Sequence, residues 1–180
     1  MRLALGATVV MACVGLAGCT SSDGVEGAIT PRELPANLCE SVPDTLVTAW
    51  SLEEESADVD NGDSLATASC RMTGPDASLD VSLTSYAGGS TESAERFAGE
   101  DQVDQCGNVR SLGGDYTDDD TSCGSVVDDG DTTTVARVEQ VTGSYGVTRV
   151  EMTGPTSRAD EVDDEVGTLL EAMAAVLGED

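Results

Sequence analysis

Six cysteines limit what this chain can fold into more than any other feature. Met1 and Arg2 precede an apolar stretch, residues 3–18, broken only by Thr8 and small side chains, and a polar exit follows at Thr20, Ser21 and Ser22. One positive charge, a short apolar run and small residues at its end predict a secretory signal. The run falls short of the roughly 20 apolar residues that cross a bilayer. Cys13 lies inside it and leaves with it; Cys19 stands at its end. Cys39, Cys70, Cys106 and Cys123 then fold in an oxidising compartment, where an even number of cysteines predicts two disulfides. Three connectivities are possible, and sequence neighbours pair most easily, which favours Cys39 with Cys70 and Cys106 with Cys123. A zinc site is disfavoured, since the chain has no Cys-x-x-Cys spacing and no histidine.

Leu16, Ala17, Gly18 and Cys19 resemble the bacterial lipobox. In that motif a diacylglyceryl group alkylates the thiol, and the chain is cut just before it, chemistry that needs a nucleophilic thiol between small, accessible neighbours. The resemblance implies lipidation of Cys19 and a protein tethered to the extracytoplasmic face of a cell membrane, because two or more acyl chains, at about 0.8 kcal/mol per buried methylene, anchor stably. The expected organisation is a lipoprotein signal peptide over 1–18, a flexible tether over 19–35, and a single globular domain over 36–180.

After removal of Arg2, seven arginines face 35 carboxylates, a net charge of −28. Such a domain repels nucleic acid, whose phosphates need cations, and repels anionic lipid, so the expected membrane contact is the lipid alone. One Trp, one Phe and three Tyr leave a core built of Val, Leu, Ala and Met. In so thin a core, covalent staples of about 3 kcal/mol each matter.

Periodicity supplies the elements. Residues 36–50 carry Leu38, Val42, Leu46, Val47 and Trp50 at helical spacing, in two pieces around Pro43, with Ser41 available as a cap. Residues 53–64 are acidic and predict a loop. Residues 66–73 and 78–86 alternate apolar and polar side chains, a hairpin turned at Gly74-Pro75-Asp76. Residues 90–103 predict a helix that Ser90 or Thr91 can cap, and 107–120 an irregular segment. Strands follow over 122–127, 133–141 and 147–153. A last helix places Val162, Val166, Leu169, Leu170, Met173, Val176 and Leu177 on one face, with Ser157 and Asp160 spaced as a capping box and Gly178 at its end. Three helices and about five strands predict an α+β domain, an antiparallel sheet with helices packed on one face.

No motif for chemistry stands out. Asp58, Asp60, Asn61, Gly62 and Asp63 fall short of a calcium loop: counted from Asp58, position five is Gly62, position six Asp63 and position twelve Ser69. Asp118-Asp119-Asp120 and Asp128, Asp129 and Asp131 read as solvated loops, so no metal or other cofactor is expected. A serine nucleophile lacks a basic partner, since the chain has neither His nor Lys. No enzyme is expected. Arg71, Arg137 and Arg149 lie on predicted strands, where they offset carboxylates on the outer face of the sheet or line an anion site; the first reading is preferred.

With the lipobox, Leu38-Cys39 at the head of the first helix and Cys70 in the first strand, the chain resembles a family of small actinobacterial lipoproteins defined by a domain of unknown function. The resemblance runs over about residues 38–177 and implies a compact α+β fold similar to the LpqN-like and PsbP-like layouts. Met72 stands where that family often carries an aromatic residue. The family supplies no functional residues. The expectation is therefore a cell-envelope lipoprotein, a non-catalytic binding module for an extracytoplasmic protein or small ligand. The alternatives are a structural or sensor-like extracellular module, or an acidic cation-binding protein.

Overall fold

The computed structural model describes residues 27–178. The expected signal peptide, Cys19 and residues 20–26 of the expected tether lie outside the described residues.

A 3-10 turn, Leu38–Ser41, leads into helix α1, Asp44–Trp50. Strands β1 (Glu53–Asn61), β2 (Leu65–Thr73) and β3 (Ser78–Tyr86) follow, then helix α2 (Thr91–Ser111). Four strands come next: β4 (Asp115–Asp118), β5 (Ser122–Asp129), β6 (Thr132–Val141) and β7 (Gly146–Pro155). Helix α3 spans Ala159–Leu177. The seven strands form one sheet in the order β1-β2-β3-β7-β6-β5-β4, and every pairing is antiparallel. The chain leaves the sheet after β3, crosses it as α2, re-enters at the far edge as β4, and walks back until β7 pairs with β3.

The sheet has two more strands than the sequence predicts. Residues 53–61, expected as a loop, form β1, and part of the expected irregular segment forms β4. Helix α2 also runs past its expected end to Ser111, because Cys106 and Val109 are buried beneath it. Its cap is as expected: the Ser93 amide donates to the Ser90 hydroxyl, and the Ser90 amide donates to the Ser93 hydroxyl. The other two expected caps are absent. Pro43 and Arg158 occupy the N-cap positions of α1 and α3, and neither cap makes a side-chain hydrogen bond.

The helices lie on both faces, not one. Residues directly opposite in an antiparallel ladder share a face. Val135, Arg137 and Val141 of β6 share theirs with Met152 and Val150 of β7, and with Leu79, Val81 and Leu83 of β3. Helix α3 covers that face with Val162, Val166, Leu169, Met173 and Leu177, and Leu38, Leu46 and Trp50 extend the same core. The other register of β6, Ala136 and Val138, joins Val147 and Cys123 under Ala98, Cys106 and Val109 of α2. Each face carries one disulfide. Cys39–Cys70 ties the 3-10 turn to β2, and Cys106–Cys123 ties α2 to β5.

Residues 29–34 of the expected tether pack on the domain. Ile29 pairs with Gly88, the Arg32 amide donates to Ser85 Oγ, and the Arg32 guanidinium donates to the Leu177 carbonyl. Leu34 is only 2 % exposed and exchanges two hydrogen bonds with the side chain of Asn61. The packed domain thus begins ahead of residue 36.

Candidate binding face

Helix α2 packs on β5, β6 and parts of β7 and β3, leaving the rest of its face open over β1, β2 and the remainder of β3. The strand register lays the open half out in rows. One row is Asp58, Ser69, Ser82 and Arg149; the next is Ser56, Arg71, Asp80 and Glu151; beyond the first lies Asp60, Thr67 and Thr84. The polar residues of the alternating strands build this surface, while their apolar partners are spent on the α3 side.

Hydroxyl groups form the floor, and two charge pairs stand on it. Arg71 Nε lies 2.6 Å from Asp80 Oδ1, and Arg149 donates to Glu151 Oε2 at 2.6 Å. The hydrogen bond Arg71 donates to Asp80, then the charge of that carboxylate, raises the Arg71 guanidinium above its ordinary value. The Arg149 pair is the more shielded, at 31 % and 26 % exposed. Between the pairs lies a depression of about 390 Å³ reaching Ser56 and Asp58 on β1, and a second of about 460 Å³ adjoins it over Thr67, Ser69, Ser82 and Thr84. The surface can present guanidinium forks, carboxylates and hydroxyls to a polar partner.

The three strand arginines therefore divide. Arg71 and Arg149 offset carboxylates on the open face, as expected. Arg137 lies on the opposite face and donates to Asp163 of α3 at 2.6 Å. Asp80, Glu151 and Ser82 were not singled out by sequence; their only mark is a polar side chain at every second position.

The dense acidic loops are occupied locally. Asp118 pairs with Arg110. Asp119 accepts the Thr121 and Ser122 amides, which hold its carboxyl below the usual range, the Thr121 bond most strongly. Thr133 Oγ1 donates to Asp128. Among the described residues, no three His, Cys, Asp or Glu side chains are gathered so as to hold a metal ion, and no helix is long and apolar enough to cross a membrane. No protein-family model matches the chain, and no curated protein matches it.

Proposed function

We propose that the chain is a lipoprotein anchored by Cys19 at the extracytoplasmic face of a cell membrane, akin to the small actinobacterial lipoproteins it resembles, and that its domain is a non-catalytic module binding a polar protein surface. The observation behind this reading is the uncovered half-sheet carrying Arg71–Asp80 and Arg149–Glu151 above a floor of serines and threonines. Sites for small apolar ligands are enclosed and lined with apolar and aromatic groups. A broad polar surface with paired charges suits a protein partner, for which electrostatic complementarity selects orientation and encounter rate.

Two experiments test the two halves of the proposal. Cys19→Ser should stop normal processing and release the protein from membranes on a high-salt wash; normal processing with retention overturns the anchor. A photo-crosslinking residue at Ser69 or Ser82, introduced in cells, should trap a partner that the same residue at Glu171, exposed on α3, does not trap. Arg71→Ala with Arg149→Ala should abolish that crosslink. Equal yields from both faces refute the site.

A further inference from the structure

We propose that the outer edge of β1 is a docking edge for an extended, basic segment of a partner protein, added to the sheet as an eighth strand. The inference rests on reading the domain as a binding module and goes further by naming a second element and the chemistry it takes.

Strand β1 ends the sheet. It is nine residues long, contains no proline, and is exposed along almost its whole length. Alternate residues of an antiparallel edge strand turn their N–H and C=O groups away from the sheet, so about half of its residues face outward unpaired. Among the described residues, no backbone group outside the sheet bonds to the backbone of residues 53–61; Leu34 bonds only the Asn61 side chain, at the strand's end. The opposite edge, β4, is only four residues long.

Natural sheets blunt such an edge against non-specific pairing with proline, a covering helix, shortness, a bulge or charged side chains. Here it carries Glu53, Glu54, Glu55, Asp58 and Asp60. Among the described residues, none of the five forms an ion pair; Glu54 accepts a hydrogen bond from Asn37. That charge bars a second copy, since pairing β1 with β1 sets carboxylate against carboxylate. It favours a strand bearing Lys or Arg. Only a polypeptide offers N–H and C=O groups at the ladder spacing, and nucleic acid and anionic lipid are repelled by the same charge. The register shift between Glu54 and Ser56 leaves one extra residue, Glu55, on β1 and confines the irregularity to its first half. Every second side chain of an added strand would fall beside Ser56, Asp58 and Asp60, continuing the rows of the open face.

The test uses the full chain in detergent and a capped nine-residue peptide alternating lysine and valine. Two derivatives are N-methylated on alternate residues, one in each frame. The peptide should bind, more weakly as salt rises, and slow hydrogen exchange at β1 amides. One methylated frame should bind at least tenfold more weakly and the other about as well as the parent, because only one frame faces β1. E53K/E55K/D58K/D60K, all at exposed positions, should lose at least tenfold in affinity while melting as a single transition. Equal binding by both frames, unprotected β1 amides, unchanged affinity of the charge-reversed protein, or a dimer joined through β1 each overturns the proposal. Because Arg71 and Arg149 take no part, a failed peptide with intact crosslinks at Ser69 sinks the edge alone.

Discussion

Removing the Cys106–Cys123 disulfide should detach one helix before it unfolds the protein. In the chain-entropy account, a crosslink removes about 2.1 + 1.5R ln n cal/mol/K from the unfolded chain, with n the residues enclosed. For Cys106–Cys123, 17 apart in sequence, that is about 3.1 kcal/mol at 25 °C, and for Cys39–Cys70, 31 apart, about 3.7 kcal/mol. At roughly 2–4 °C per kcal/mol for a chain of this size, loss of the shorter loop lowers Tm by about 6–12 °C.

Loop length ranks Cys39–Cys70 first, but local packing reverses the order of local damage. Cys39 and Cys70 sit within the large core beside Leu38 and Leu46. The footing of α2 is Ala98, Cys106 and Val109 on Cys123, Ala136, Val138 and Val147, with no fully buried apolar side chain larger than valine and the half-buried Tyr86 and Tyr116 packed at its side. Such a patch buries less apolar area than the α3 core, and burial contributes only about 25 cal/mol per Å². The C106A/C123A variant, with Cys39–Cys70 intact, should therefore expose the α2 amides to rapid exchange while β2, β3 and β7 stay protected. Calorimetry gives the melt, and exchange mass spectrometry locates the loss. Unchanged protection in α2, or a Tm unaltered by both the variant and reducing agent, refutes the reasoning.

Gly154 faces the only tryptophan, and a Cβ there would meet Val162 at 2.8 Å and Trp50 at 2.9 Å. Gly154→Ala should destabilise by about 1–3 kcal/mol through overpacking and shift Trp50 emission, both read in a urea titration. The Arg158 guanidinium lies 3.5 Å from the Trp50 ring centroid, so Arg158→Ala should move that emission to the red with only a small change in Tm. Burial, then the neighbouring Asp101 carboxylate, raises the Tyr86 hydroxyl above its ordinary value of 10.0. The unfolded phenol ionises first, so stability is whole below about pH 10 and falls as pH climbs beyond it. Tyr86→Phe should remove that alkaline loss from a series of urea melts, and an unchanged series refutes the assignment.

What the sequence made legible follows from where apolar side chains had to go. Strands β2 and β3 were readable because Ala66, Ala68, Cys70, Met72, Leu79, Val81 and Leu83 alternate with polar residues, and one face of each strand is buried. Strand β1 was not, because an edge strand exposed along its length needs no apolar alternation: Ala57 and Val59 are its only apolar residues, set among carboxylates, and Val59 is itself exposed. The end of α2 was hidden by Gly107, a poor helix former retained where the Cys106 disulfide and Val109 hold the turn in place. The layers were misjudged for a different reason. A helical stripe shows that a helix is covered on one side, but Ala94, Ala98 and Val109 carry no mark of which face of the sheet receives them.

The same limit hid the binding face. Thr67, Ser69, Arg71 and Thr73 were legible as the outward set of β2, and Arg71 and Arg149 as partners of carboxylates on an outer face. Whether that face meets solvent depends on α2, which packs on β5, β6 and only parts of β7 and β3. Half of a face that looks uniform in sequence is therefore core and half is surface. The boundary runs between Val147, packed under α2, and Arg149, two residues on, paired in the open with Glu151. A helix long enough to reach β2 would bury Arg71 and Arg149 at a cost their ion pairs would not recover. The charge on those two positions thus matches α2 stopping where it does and leaving that half of the sheet to solvent.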